Sequence, residues 1–305
     1  MKPPLLATDE RPRPAAASIA HAPPSHHALA ALGTLYTLTL RQHLHGKRAL
    51  VLGALFVLPA VLAGVVRATA INVQGIMLEF MFGFMFIPQA LLPLVALLYG
   101  SGIVQDEQEE QTFTYLLIRP IAKWAIYLVK LLATLTTTIV LTAVFTTLTY
   151  VVIYVGADAG SENLPLRCVK AIGLHALAVA AYCCLFGLMS LLTKRTLVLG
   201  FLYAFLFEGF LANMPFSVRL LTIIYYARIA AYRSLEFLAE MPRRPSLDMA
   251  AEWWKLDVRR DPLLLDHPTL RTCLIVLVAI SVVCAALGAY LCSRKEFHVK
   301  TPEGS

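Results

Sequence analysis

Charged residues are scarce in this chain. Asp, Glu, Lys and Arg make up 15% of its 305 residues, where a soluble domain carries about a quarter. That shortage excludes an ordinary soluble domain, because 58% of the residues are hydrophobic and they gather into blocks. A phosphate loop of the form G-x-x-x-x-G-K-[ST] is also missing; Gly46-Lys47 runs into Arg48 and lacks the spacing. ATP hydrolysis by that route is therefore excluded. So is a zinc protease of the H-E-x-x-H type. No basic run is interleaved with aromatics, so the net charge of +7 is a topology signal and no nucleic-acid partner is expected. The six cysteines form no disulfide framework. Cys183, Cys184, Cys273, Cys284 and Cys292 fall in or at the end of apolar blocks, and Cys168 lies near a loop.

What is present is apolar length. Six blocks, roughly 49–66, 80–104, 124–155, 169–192, 196–213 and 270–292, can cross or nearly cross a hydrocarbon core of about 30 Å at 1.5 Å per residue. Backbone polar groups in such a core must be satisfied internally, so each block is a helix. The expected fold is all-α, a polytopic integral membrane protein with six transmembrane helices. Residues 1–28 are rich in Pro and Ala and lack the apolar core of a signal peptide, which predicts a disordered cytoplasmic tail. Residues 29–305 form the membrane domain. It begins with a helix over 29–45 that places Leu29, Leu32, Tyr36 and Leu40 at helical spacing and lies in the interface.

Lys and Arg in the short loops set the orientation. Lys2, Arg11, Arg13, Arg41, Lys47 and Arg48, then Lys194 and Arg195, then Arg294, Lys295 and Lys300 all fall on one side of six spans. Both termini are expected in the cytoplasm. The long connection 226–268 holds seven basic and seven acidic residues and falls outside. It is expected to be helical, with Trp253 and Trp254 anchoring a small amphipathic helix at the interface. The apolar stretch Met214–Ala227, broken by Pro215 and carrying Arg219, follows the fifth span and re-enters the outer leaflet or lies along it.

The stretch 101–130 carries the most information. Asp106 can cap a helix, with Glu109 three positions on in a capping-box arrangement, and Glu107, Glu109 and Glu110 crowd its first turn. Arg119 and Pro120 end it. Phe113, Leu116 and Leu117 form one face; Glu107, Glu110, Gln111 and Thr114 form the other. A short, acidic, amphipathic helix over 105–120 on the aqueous side has little purpose unless something docks against it. Lys130, in the first turns of the third block, is expected to snorkel to the headgroups.

These residues resemble the signature of ABC exporter permeases of the type 2 membrane family. The matching positions are Ser101-Gly102, Asp106-Glu107 with Glu109-Glu110, Gln111-Thr112, Leu116-Leu117, Arg119-Pro120 and Lys130. Gln111 departs from the usual Gly, and Lys123 stands where the family often has Arg. The resemblance implies that 105–120 is a coupling helix docked in a cleft of a separate ATPase subunit. Asp106, Glu107, Glu109, Glu110, Thr112, Phe113, Leu116, Leu117, Arg119 and Pro120 would make that contact. It further implies two ATPase copies, ATP and magnesium bound on the ATPase rather than on this chain, and a second permease, identical or related. The substrate would pass near the first, second and fifth spans in the plasma or inner membrane.

Two further residues stand out. Glu208 lies about 21 Å along the helix from Lys194, a costly depth for a carboxylate. It is either a pathway or gate residue, shared with members of the resembled family, or an outer-interface carboxylate touching Asn213 or Arg219. His175 has no ligand-spaced neighbour and is expected to pack or to hydrogen-bond between helices. Two alternatives to a permease compete. One is a membrane-embedded enzyme using Glu208, His175 or the outer loop, although no two titratable residues converge by spacing, and Phe113 breaks the pattern of a prenyl-protein protease after Glu109-Glu110. The other is a non-transporting scaffold acting on extracytoplasmic partners through 226–268.

Overall fold

The computed structural model describes residues 25–69, 73–109, 122–155, 163–213, 217–241, 244–254 and 268–294. Six helices in these segments are long and apolar enough to cross a membrane: Arg48–Thr69, Gly75–Gln105, Lys123–Tyr154, Leu164–Leu192, Thr196–Asn213 and Leu270–Arg294. They are called spans one to six. The second and fourth begin about five residues earlier than expected, which brings Glu79 and Arg167 inside helices. The chain alternates direction, so one end of the bundle holds Gln105, Lys123 and Arg294 (the terminal face). The other holds Thr69, Tyr154 and the connection before span six (the loop face).

Spans two and four form the centre. Of the residues in their apolar windows 56% are buried, against 17% in span six, 22% in span five and 28% in span one. The poorly buried spans therefore turn apolar side chains such as Val61, Phe205 and Val282 outward, as a lipid-facing surface requires. Span four packs most extensively on spans two, three and six. Close approach is possible because span three presents a stripe of small polar residues. Thr137, Thr138 and Thr149 return their hydroxyls to carbonyls one turn back in the same helix, leaving a nearly apolar surface to neighbours. Gly288 marks a tight crossing: a Cβ there would stand 2.3 Å from the Tyr127 hydroxyl.

Among the described residues two stretches are π-helical, Glu79–Leu91 in span two and Ala204–Phe210 in span five. Pro88 lies inside the first. Proline has no N–H and crowds the carbonyl four residues back in an α-helix, and the wider i→i+5 register relieves that clash. Such segments are rare and collect at functional sites.

The expected interfacial helix is present as Ser25–His45, starting inside the stretch assigned to the tail; residues 1–24 lie outside the described residues. It lies across span three, where the Tyr36 hydroxyl donates to Thr136 Oγ1 at 3.1 Å, and it meets span two where the Tyr99 hydroxyl donates to the His43 carbonyl at 3.2 Å. Its Leu35 and Thr39 are buried, while Leu29, Leu38 and Leu44 stay exposed. Span three has 32 residues, about 48 Å of helix against a hydrocarbon core of about 30 Å. Lys130, in the first turns of span three, does not snorkel. It is 7% exposed, and its Nζ donates to the Ile103 carbonyl at 3.4 Å, because span two packs against it there.

The connection between spans five and six is not wholly helical. Its described part holds the helix Ile223–Ser234, strands Leu238–Met241 and Arg244–Asp248 paired antiparallel, and a short helix Met249–Trp253 whose N-terminus Asp248 caps through the Ala251 N–H. The rest of 226–268 lies outside the described residues. Ile223 and Ala227 belong to the same buried cluster as Val95, Tyr182 and Leu277. The chain thus turns back into the bundle after span five, as one of the two expected arrangements required.

Candidate functional site

The helix of span two continues unbroken through Glu109. Asp106 therefore sits within a helix and does not open a new one, and Asp106, Glu107 and Glu109 extend the C-terminal direction of span two. The capping-box spacing is real, but the span's own i→i+4 ladder already engages the backbone that a cap would serve. Glu110, Thr112, Phe113, Leu116, Leu117, Arg119 and Pro120 lie outside the described residues. Just before the acids, Gln105 Nε2 donates to the Thr193 carbonyl at 3.1 Å and to Thr196 Oγ1 at 2.9 Å. The terminal end of span two is thereby tied to the junction of spans four and five.

Glu208 sits in the π-helical part of span five and is 1% exposed. Its Oε1 accepts from the Ile223 N–H at 3.0 Å and from the Tyr203 hydroxyl at 2.9 Å, and its Oε2 accepts from the Ile224 N–H at 2.9 Å. Ile223 and Ile224 open the helix Ile223–Ser234, whose own N-cap residue Thr222 makes no side-chain cap. A carboxylate from another helix thus caps it and meets the positive end of its dipole. Neither expected contact, to Asn213 or Arg219, is among these bonds. Asn213 instead accepts from Arg228 Nη1 at 2.9 Å, while Arg228 Nη2 donates to Gln89 at 2.7 Å. Arg228 also feels the Glu208 charge, so this polar group joins spans two and five to the returning helix.

A second buried carboxylate went unrecognised in the sequence. Glu79 opens the π segment of span two and is 0% exposed. Arg167 of span four grips it with two bonds, Nη2 to Oε1 at 3.0 Å and Nε to Oε2 at 3.3 Å. The Tyr150 hydroxyl donates to Oε1 at 2.8 Å, and the Tyr154 hydroxyl to Oε2. Arg167 reaches on to the Glu236 carbonyl at 3.3 Å and lies over the Phe237 ring. One ion pair therefore fastens spans two, three and four and the connecting loop at the loop face. The signal that could have found it was a glutamate inside a continuous apolar stretch; opening the second block at residue 80 excluded it by one position.

His175 is buried in span four with Nδ1 3.1 Å from Thr146 Oγ1, an interhelical contact to span three as expected. Trp253 is exposed and suits an interface, but Trp254 is buried against Phe80 and Phe237. Only one of the two tryptophans can serve as the anchor.

The fold is that of an all-helical, multi-pass membrane protein with buried polar clasps at one end and an acidic connection at the other. The family described as ABC-2 family transporter protein matches residues 34–297, and the chain belongs to it. It is a permease subunit of an ABC transporter, and membership implies an ABC ATPase as partner. No curated protein matches the chain.

Proposed function

We propose that this permease is one half of an exporter, driven by a separate ATPase that grips the acidic connection between spans two and three. The observation that carries the reading is the course of span two. It is helical from the Glu79 clasp at the loop face to Glu109 at the terminal face, and it leads directly into Glu110–Pro120. A packed helix transmits displacement between its ends. A push on the acidic connection would strain the Gln105 tie first and the Glu79–Arg167 clasp last, shifting permease halves as rigid bodies between two states. Two such chains or a related pair, two ATPases, ATP with magnesium on those ATPases, cytoplasmic termini and a plasma-membrane location complete the assembly. Glu208 acts in it as a cap that holds the returning helix; substrate contact is not its role.

Co-purification of the full chain from its native membrane tests the proposal. An ATPase should accompany it, and Glu107→Lys with Glu110→Lys should abolish transport-stimulated ATP hydrolysis while leaving the chain folded. Retention of full stimulation in that variant would end the coupling claim. Uptake into inside-out vesicles but not right-side-out ones would establish the outward direction.

A further inference from the structure

Span five touches the bundle along one narrow face. Its buried positions are Thr196, Gly200, Glu208 and Ala212, a four-residue spacing that a helix brings to the same side. Leu197, Val198, Phe201, Phe205 and Phe210 are exposed around the rest. The first three buried positions each lead back to span two. Thr196 Oγ1 accepts from Gln105 Nε2 at 2.9 Å. Gly200 leaves room for Leu97: a Cβ there would stand 2.2 Å from Leu97 Cδ1. Glu208 caps the returning helix, and Arg228 of that helix donates to Gln89. Span two descends through Gln105, Leu97 and Gln89 as span five runs on from Thr196, so the two lie antiparallel and side by side. The Gln105 contact is fixed by its chemistry. The Thr193 carbonyl can only accept, so the amide nitrogen must face it, at 3.1 Å. The second amide N–H goes to Thr196 Oγ1, whose own proton goes to the same Thr193 carbonyl at 3.0 Å. Both N–H groups of Gln105 are thus spent on the corner where span four ends and span five begins.

We infer that Gln105 is a positioning residue: it holds the start of span five to the end of span two, so that a displacement of the acidic connection carries span five with it. The direction of that drive rests on the coupling reading above; the tie itself does not. Gln105 stands in the same helix as Glu109, only about 6 Å of helix before it. A movement of the acidic end therefore reaches this corner before any other contact described between spans two and five. Gly200 against Leu97 and the Glu208 cap then hold the rest of span five in register with span two. What the drive moves is the exposed face carrying Phe201, Phe205 and Phe210.

The test uses the full chain in lipid nanodiscs, with nitroxide labels carried on p-acetylphenylalanine at the exposed positions Val198 of span five and Val282 of span six, which leaves the native thiols untouched. Pulsed electron resonance then reads the distance between the labels. Without nucleotide, Gln105→Met, which keeps length but donates nothing, should widen the distance distribution. Thr196→Val should widen it as well, and Thr196→Ser should restore the parent width. An unchanged width in Gln105→Met overturns the inference, and so does a Thr196→Ser that behaves as Thr196→Val does, since the methyl would then be what matters. With the co-purified ATPase, ATP and vanadate should shift the distance in the parent. Gln105→Met should lose that shift while ATP hydrolysis continues; a full shift in the variant overturns the drive. A parent without any shift ends the coupling reading and the drive with it, whereas the nucleotide-free widths still decide the tie.

Discussion

Glu79 and Glu208 are both fully buried glutamates in π-helical segments, yet they are held by opposite means. Glu79 is neutralised by a full cation, Arg167, and by two tyrosine hydroxyls. Glu208 is held chiefly by neutral donors, two backbone N–H groups at a helix start and one tyrosine hydroxyl. The first arrangement binds four parts of the molecule through one charge pair. The second satisfies N–H groups that would otherwise be orphaned inside the bundle. Burial alone thus says nothing about what a carboxylate holds together; its donors do.

The comparison breaks most sharply at Arg167. Arg167→Met leaves Glu79 buried without its cation and should destabilise the chain by about 3–5 kcal/mol, read as loss of thermal stability in nanodiscs. Adding Glu79→Gln should recover much of that loss, since no charge is then left unpaired. Failure of the double variant to recover would mean that the pair acts through shape more than charge.

Glu208→Gln should cost less, about 1–3 kcal/mol. Its amide nitrogen would face an N–H of Ile223 or Ile224, but no buried cation loses its only partner. The loss should appear in thermal unfolding and in faster hydrogen exchange at Ile223 and Ile224. A variant that stays fully stable yet cannot transport would instead make Glu208 a pathway residue.

The smallest effect is expected from Tyr203→Phe, which removes one of three donors to Glu208 and should cost about 1 kcal/mol. Tyr150→Phe should cost more, up to about 3 kcal/mol, because the carboxylate it serves has no backbone N–H among its donors in the described residues. Equal losses in the two variants would erase the distinction between the sites.

The same pair shows why some of the site was legible in the sequence and some was not. Glu208 drew attention because it interrupts a strongly apolar block, but its purpose did not, since its backbone donors follow 15 and 16 residues later, after a turn. Glu79 and Arg167 are 88 positions apart, and each sits at the end of a block where a charge looks like a loop residue. The acidic stretch was legible as a chemical cluster, but the capping-box spacing around Asp106 misled. The same residues fit a helix that continues just as well as one that begins, and here the helix of span two runs on through Glu109. Lys130 was misread for a related reason: its burial follows from span two packing against it, not from its distance to the block's edge.

Six apolar runs, the basic residues at their ends and the motif from Ser101 to Lys130 were enough to define the number of spans and the family. Solvation energy acts on each segment separately and needs no knowledge of its neighbours. The π segments, the strand pair, the return of Ile223–Ser234 into the bundle and the partners of both glutamates were decided by tertiary structure. Hydrogen bonds act over about 3 Å, and the groups that satisfy these carboxylates meet only after the helices have packed.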